Sequence, residues 1–489
     1  MKKSFAPICF LCLISIINLP KSLFSQNVGI GTASPNEKLH VAGNIKADTL
    51  KPNAIKFTTN AGTGKILTSD AAGNASWQNN TTTSATGNTG YGVWGDCNSN
   101  GNITDYIPIV DATGSIADNF GYSTSISGSY AIVGAYLDDV GNNPNQGSAS
   151  IYQYNGSTWT LMQKLTDAAG GFEDRFGNSV SISGSYAIIG SYLDDIGTNT
   201  DQGSVSFYHY NGASWVLTQK LTDATGAALD RFGTSVSISG NYAIVGANLD
   251  DVGANTDQGS VSIYQYNGAT WVLMQKITDA TGEADAYFGT SVSISGNYAV
   301  VGAYGDDEVI TDQGSASIYQ YNGAAWVFMQ KKTGFGVSNY GYSVSISGSY
   351  VIVGAFKATV GPYSSQGLAS MYHYDGANWV WLQDLTDPNG AASDNFGVSV
   401  SISGDYAMVG AYSDDVFRSP PTAFNFGSAS IYQRLGNAWQ RIQYLVDPAG
   451  LTDDFFGFST AIDGNTKRFA AGALNYGSSS GKVVFGKIN

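Results

Sequence analysis

The sequence predicts an all-β protein: a seven-bladed β-propeller of four-stranded antiparallel blades, preceded by a small β stalk. The first observation is a Phe-Gly pair, once Tyr-Gly, that recurs at steps of 56, 56, 56, 52, 56 and 60 residues. A fixed period of this size indicates a repeat architecture. The second is that each unit contains four short strand-like runs, and the third is that the fourth run usually opens with Trp. The pairs begin at Phe120, Phe176, Phe232, Phe288, Tyr340, Phe396 and Phe456.

The four strands of a blade are clearest in the second unit. Serine alternates with Val or Ile over Ser179–Ile182, which is the two-residue period of a half-buried strand. Asn211-Gly212 is a hairpin signal, because both residues tolerate positive φ. The unit therefore predicts strands at Gly177–Ser183, Tyr186–Gly190, Gly203–Tyr210 and Trp215–Leu221.

Side-chain size favours a ring over a linear array. Blades radiate from an axis, so neighbouring sheets lie close together inside and spread apart outside. The first two runs of each unit carry Gly, Ser, Ala and Val, as inner positions require. Burial of the large aromatic that opens the fourth run contributes roughly 25 cal/mol per Å² of apolar surface. These aromatics are Trp159, Trp215, Trp271, Trp326, Trp379 and Trp439.

The ring is expected to close through an N-terminal strand. The last unit ends at Gly481–Asn489, which matches only a third strand. Counting 56 residues back from Trp159 reaches Ile103, so Ile103–Val110 stands where a fourth strand should be. Pairing of this segment into the last blade would remove two exposed sheet edges.

The stretch Phe232–Ala247, FGTSVSISGNYAIVGA, resembles the FG-GAP repeat, the propeller unit of integrin alpha subunits, and more closely its secreted bacterial variant. The seven in-register copies cover about four-fifths of the chain. The resemblance implies the propeller and leaves the ligand open. Integrin-type repeats hold a calcium cage between the first two strands, whereas this chain has only short turns there, such as Ser403–Tyr406. The resemblance therefore does not bring the family's calcium sites with it.

The N-terminus predicts export. Lys2 and Lys3 precede the apolar stretch Phe5–Leu19, a pattern typical of a secretory signal peptide, which we place at residues 1–25. The apolar stretch is too short to span a bilayer comfortably, and no later segment is apolar enough. We therefore expect a secreted, extracellular or cell-surface protein without a transmembrane segment.

Two further segments precede the propeller. Residues 26–78 are predicted to form a β stalk or attachment module that could mediate oligomerisation. The parts Asn27–Asp48 and Gly62–Gln78 resemble N-terminal β modules of Bacteroidetes-type surface proteins and of tail-fibre-like proteins. Residues 79–102, rich in Thr, Asn and Gly, are typical of a flexible linker. The propeller is assigned to residues 103–489.

The charge balance excludes one class of partner. The chain has 38 acidic and 23 basic residues, a net charge of −15. A nucleic-acid-binding protein needs a basic surface, so no nucleic-acid partner is expected.

Acidic residues concentrate in the connections of one propeller face. The connection between the second and third strands carries an Asp-Asp pair in five units. Carboxylates beside Asn side chains and free carbonyls suit Ca²⁺, so calcium is a candidate cofactor. The alternative is that Asp and Asn serve only as turn formers. The candidate metal ligands are Asp138, Asp139, Asp194, Asp195, Asp250, Asp251, Asp306, Asp307, Asp414 and Asp415.

A tyrosine stands shortly before the acidic pair in four units, where the second strand ends. Tyrosine can stack on a sugar while neighbouring polar groups bind its hydroxyls. The alternative is that these rings pack between blades. The candidate ligand-binding residues are Tyr136, Tyr192, Tyr304 and Tyr412.

No catalytic residue is assigned. His209 and His373 replace Gln at a strand position, and with His40 they form no triad or metal constellation. A sialidase-like Asp-box would need Asp and Ser where this chain has Tyr154 and Tyr152.

The functional hypothesis is a binding or adhesion module that recognises an extracellular protein or polysaccharide through the acidic loop face. One alternative is an extracellular polysaccharide-active enzyme, a glycoside hydrolase or lyase with two acidic-loop carboxylates as acid and base. Another is a structural component of a matrix or filament.

Overall fold

The computed structural model describes residues 104–307, 310–334, 336, 338–415 and 424–488, together with four short strands nearer the N-terminus. The chain divides into two compact units, residues 1–89 and 90–489. The predicted signal peptide and residues 80–102 of the predicted linker lie outside the described residues; Asn79, the first linker residue, ends a strand.

In the first unit, the described residues form two small sheets. Val28–Ile30 pairs in parallel with Leu39–Val41, and Lys65–Ser69 pairs antiparallel with Ala75–Asn79.

The second unit contains seven four-stranded antiparallel sheets, so the predicted propeller is confirmed. We number the sheets as blades 1 to 7 along the chain, and the strands of a blade from first to fourth. The strands of blades 1 to 4 are, in order, Ser123–Ser127, Tyr130–Ala135, Ser148–Tyr154, Trp159–Leu165; Phe176–Ser183, Tyr186–Ser191, Ser204–Tyr210, Trp215–Leu221; Phe232–Ser239, Tyr242–Ala247, Ser260–Tyr266, Trp271–Ile277; and Ser291–Ser295, Tyr298–Ala303, Ser315–Tyr321, Trp326–Thr333.

Blades 5 to 7 complete the ring. Their strands are Ser343–Ser347, Tyr350–Ala355, Leu368–Tyr374, Trp379–Leu385; Phe396–Ser403, Tyr406–Ala411, Ser428–Leu435, Ala438–Leu445; and Phe456–Asp463, Arg468–Ala473, Lys482–Lys487 with Thr104–Ile109. A single short helix in the described part of the chain, α1 (Tyr476–Ser479), lies in blade 7.

The ring closes as predicted. Thr104–Ile109 pairs antiparallel with Lys482–Lys487 as the fourth strand of blade 7. The first strands of successive blades contact one another around the whole ring, including the first strands of blades 7 and 1. The first strands therefore surround the axis, and the fourth strands form the outer edge.

The Phe-Gly and Gly-Ala steps of the repeat are explained by the contact between neighbouring blades. Gly134 is the penultimate residue of the second strand of blade 1, and a Cβ there would overlap the carbonyl oxygen of Gly177 in blade 2. The Ser123 Oγ of blade 1 donates to that same carbonyl at 2.8 Å. All seven interfaces repeat this arrangement, and Ser459 and Gly472 complete it against Gly121 of blade 1.

The outer part of each interface uses the tryptophan that opens the fourth strand. Trp215 is 2% exposed and packs edge-on against Tyr130 of blade 1, with ring centroids 5.7 Å apart. Its backbone exchanges two hydrogen bonds with the Gln163 side chain, each 3.0 Å long. The predicted role of these aromatics in the core is therefore confirmed.

Candidate functional site

Two kinds of connection lie on one face of the propeller, which we call the loop face. They are the long loops between second and third strands and the links from each fourth strand to the next blade. The opposite face carries tight hairpins such as the turn at Gly184, where φ is +56°. The acidic residues identified in the sequence lie in the connections of the loop face.

In blades 1 to 4, the first aspartate of the Asp-Asp pair is buried in an ion pair. In blade 2, the Nζ of Lys220 lies 2.5 Å from Asp194 and 2.6 Å from Asp167, which belongs to the preceding link. The two aspartate side chains are only 7% and 5% exposed. The same arrangement recurs as Lys164 with Asp138 and Asp111, Lys276 with Asp250 and Asp223, and Lys331 with Asp306 and Asp279. We call each such group an Asp-Lys-Asp triad.

Blade 6 stabilises its aspartates with other donors. The Arg441 guanidinium lies 2.9 Å from Asp387, and the Tyr444 hydroxyl donates to Asp414 at 2.6 Å. Tyr444 stands where blades 1 to 4 have the lysine of the triad. The cation in these groups can thus change while the buried carboxylates remain paired.

The second aspartate of each pair folds its own loop. Asp195 Oδ1 accepts a hydrogen bond from the backbone N–H of Asp201 at 2.9 Å. The equivalent bonds are made by Asp139, Asp251, Asp307 and Asp415, at 2.6–2.9 Å.

This donor set does not fit a calcium ion. A cation at the buried aspartates would have to displace an ammonium group already 2.5–3.0 Å from them. Within the described residues, no group of three or more His, Cys, Asp or Glu side chains is arranged to hold a metal. Calcium binding by the paired aspartates stays a prediction, and their contacts give it no support.

A further carboxyl group lies beside the triads of blades 1 to 3, and in blade 6, two residues before the Phe-Gly pair; blade 4 has Ala286 at this position. In blade 2 this is Asp174, which accepts a hydrogen bond from the Gly171 N–H at 2.5 Å. Burial, together with the neighbouring Asp194, raises the pKa of Asp174 to about 6. Burial likewise raises the pKa of Asp118 and Asp230 to about 6 and that of Asp394 to about 7.

The loop face has an opening at the propeller axis, with a cavity of about 240 Å³. Each blade contributes the residue that follows its Phe-Gly pair, so the wall is a ring of seven equivalent positions, which we call the central ring. Three members are aromatic, three carry hydroxyl or amide groups and one is aliphatic. The central ring consists of Tyr122, Asn178, Thr234, Thr290, Tyr342, Val398 and Phe458.

The four tyrosines predicted as ligand-binding residues lie at the same end of the axis and are half-buried. Tyr136 packs against Tyr122 of the central ring, with centroids 4.2 Å apart. Tyr304 contacts Tyr342 at 5.7 Å and Tyr412 contacts Phe458 at 5.8 Å. Burial raises the pKa of Tyr122, Tyr136, Tyr304 and Tyr342, so their hydroxyls remain protonated.

The residue before each Phe-Gly pair adds an outer wall. All seven such residues have φ between +48° and +61°, a region that Asn tolerates and bulky side chains disfavour. Three are Asn, but the others are Arg175, Arg231, Tyr287 and Phe455. Each of these four packs against one of the predicted tyrosines, at 5.7, 5.7, 5.0 and 5.6 Å respectively.

Comparison with known proteins agrees with this architecture. The FG-GAP repeat family matches residues 108–152, 159–208, 215–264, 271–319 and 379–432, which together make up just over half of the chain. The chain belongs to the FG-GAP repeat family. No curated protein matches the sequence. Among solved structures, a Bacteroides uniformis protein named as a 6-phosphogluconolactonase candidate is similar, with 12% identity and a TM-score of 0.44 over 67% of this chain and 85% of that one.

The FG-GAP matches omit residues 320–378, which include the first three strands of blade 5. That gap coincides with the shortest step of the repeat, 52 residues. In this blade the Asp-Lys-Asp triad is absent, since Gly334, Ala358 and Asp384 occupy its three positions. Among the described residues, no helix is long and apolar enough to cross a membrane.

Proposed function

We propose that this FG-GAP propeller is an extracellular binding module that holds a protein or polysaccharide on its loop face, over the central opening. The support for an extracellular location is the signal-like N-terminus together with an FG-GAP propeller, a repeat typical of extracellular proteins.

The observation that carries the proposal is the contrast between two rings of equivalent positions. At the blade interfaces, the serine and both glycines are the same in all seven blades, because contact distance permits nothing larger. In the central ring, seven equivalent positions hold five different residue types. The positions differ where the blades face the opening, which gives a repetitive scaffold one non-repetitive surface.

The strained backbone of the residues that precede the Phe-Gly pairs is a second argument for a binding site beside the opening. A bulky residue in the left-handed region costs roughly 1–2 kcal/mol, and such outliers concentrate at functional sites. The residue before the Phe-Gly pair is Asn in three blades, whereas the other four blades have Arg175, Arg231, Tyr287 and Phe455 there. Their side chains build a wall of aromatic and guanidinium groups beside the opening.

The size of the opening indicates how a ligand is held. Pockets that enclose whole small molecules are typically about 300–1,000 Å³. At about 240 Å³, this opening suits one sugar unit of a polysaccharide or one side chain of a protein, while the rest of the ligand lies across the loop face. The paired aspartates surround this surface as structural residues, so the contacts are assigned to the central ring and the four tyrosines.

The test is binding of the whole protein to a panel of polysaccharides and cell surfaces, in calcium and in EDTA. Tyr342→Thr and Phe458→Thr place in the ring a residue that blades 3 and 4 already have there, so both should fold and bind at least tenfold more weakly. The control is Phe328→Leu on an outer strand, where blades 1 to 3 have Leu. Equal binding by all variants would refute the central site. Release of soluble sugar would support the enzyme alternative.

A further inference from the structure

Blade 5 contains a second cavity, of about 30 Å³, on the outer part of the sheet. Its wall includes Gly334, Ala358, Leu368 and Asp384. Each of these residues replaces a member of the charged group found in blade 2, where the equivalents are Asp167, Asp194, Ser204 and Lys220. The cavity therefore lies where blade 2 has the lysine and the two aspartates of its triad.

The four replacements belong together physically. In blade 2 the Ser204 hydroxyl donates to Asp194 at 2.5 Å, and Lys220 forms ion pairs with both aspartates. Removing only the lysine would leave two buried carboxylates unpaired, which is strongly destabilising. Blade 5 lacks the lysine, both aspartates and the serine, so no uncompensated buried charge results.

The charge at the lysine position is reversed, because Asp384 of blade 5 stands where blade 2 has Lys220. Blade 2 has a cation held by anions, whereas blade 5 has one carboxylate, Asp384, at the edge of a mostly apolar cavity. Asp384 Oδ1 accepts hydrogen bonds from Ser370 Oγ at 2.7 Å and from Trp381 Nε1 at 3.0 Å. In the described part of the chain, Asp384 Oδ2 receives no hydrogen bond.

The remaining residues that line the cavity are suited to contact the methylene groups of an alkylammonium cation. Tyr340 and Tyr372 line the cavity, and their hydroxyls are joined at 2.7 Å. Trp381 is 53% exposed at the entrance. A cavity of about 30 Å³ has room for about two water-sized groups, such as an ammonium and the methylene that carries it.

We propose that this cavity is a binding site for a primary alkylammonium group, the lysine side chain of a protein partner. The partner's ammonium would reproduce, from outside, the ion pair that Lys220 makes within blade 2. A protein is favoured as the source because the site opens at the outer edge of the sheet, where Val380 and Trp381 are 43% and 53% exposed. The site does not depend on the proposed function, since it lies on a fourth strand and the central opening lies at the axis.

One lysine of the protein itself lies close by. Lys332 stands at a strand position that is Leu or Ile in the other blades that share it, and its Nζ donates to the Trp379 carbonyl at 2.6 Å. The ammonium is 5.2 Å from the centre of the Tyr372 ring and forms no ion pair with a described carboxylate. Its charge should repel an incoming cation, so its removal should tighten binding.

The experiment measures binding of Nα-acetyl-lysine N-methylamide to the whole protein by ligand-observed NMR, with the norleucine analogue as the uncharged probe. We expect binding of the lysine probe alone, at least tenfold weaker binding to Asp384→Asn, and equal or tighter binding to Lys332→Leu. The matched control is Asp375→Asn, which makes the same charge change in the hairpin turn of blade 5. The equivalent turns of blades 1 to 4 carry Asn there, as at Asn211.

Three outcomes would overturn the proposal: equal binding of both probes, equal binding of the lysine probe to wild type and Asp384→Asn, or no binding of the lysine probe. Circular dichroism of each variant separates loss of the site from loss of the fold. Lys332→Leu provides a second test, because a loss of binding in that variant would assign the interaction to Lys332 and contradict the site.

Discussion

Replacing Lys220 by Met should destabilise the propeller by about 3–5 kcal/mol, the usual cost of leaving buried charges without their partner. The structure supports the upper part of this range. Lys220 pairs with two aspartates, at 2.5 and 2.6 Å, and their side chains are 7% and 5% exposed. Met preserves most of the length of the side chain, so the loss should arise from charge more than from packing.

Urea unfolding of the whole protein, followed by circular dichroism, would measure this loss. Adding Asp167→Asn and Asp194→Asn to Lys220→Met should restore at least half of the lost stability. Lys357→Met, at an exposed residue, is the control and should change stability by no more than about 0.5 kcal/mol.

A loss below about 1 kcal/mol for Lys220→Met would refute the reasoning. It would mean that these ion pairs behave like exposed surface pairs, which contribute about 0–1 kcal/mol. The aspartates would then be free to serve another purpose, and the calcium hypothesis would regain support.

Three further predictions concern the fold. Gly246→Ala should lower the free energy of unfolding by about 1–3 kcal/mol or more, because its Cβ would overlap the Gly289 carbonyl. Gly212→Ala, which has open space around it, should lower it by only about 1 kcal/mol because of its positive φ. Equal losses for the two variants in urea unfolding would contradict this reasoning. Deleting residues 104–109 should unfold the domain cooperatively at lower temperature, and an unchanged melting temperature would disprove closure through this strand. Burial raises the pKa of Asp394 to about 7, above its value in the unfolded chain. Its contribution to stability is therefore fully present below about pH 4 and is lost as the pH rises through 7. Asp394→Asn should flatten this part of the plot of unfolding free energy against pH, and an unaltered plot would contradict the assignment.

Much of the fold could be predicted from the sequence because the repeat displays its own constraints. The strand expected at Gly177–Ser183 is observed at Phe176–Ser183, and Trp215–Leu221 is observed unchanged. Ring closure followed from counting one period back from Trp159. These predictions depend on backbone periodicity and side-chain size, which a single sequence shows directly.

The site was less accessible to sequence reasoning. The aspartates were interpreted as calcium ligands or as turn formers, although Lys220 recurs at the same strand position in four blades and lies 26 residues after Asp194. That recurrence was the available signal, but only the fold shows that the two positions meet. The central ring gave a weaker signal, since its members are 52 to 60 residues apart and chemically different.

Two kinds of departure from the repeat therefore have different meanings. Single departures, such as Tyr444 for lysine in blade 6, preserve the local interaction with a different donor and need no functional explanation. The four joint departures of blade 5 preserve no interaction; they remove a complete ion-pair group and leave a cavity with one carboxylate at its edge. Drift that removed the lysine first, without the substitute donors seen in blade 6, would leave buried carboxylates unpaired at a cost of several kcal/mol. The complete replacement is thus more consistent with a blade adapted to a ligand than with a decayed copy of the repeat, and binding of a lysine side chain is the property that would distinguish the two.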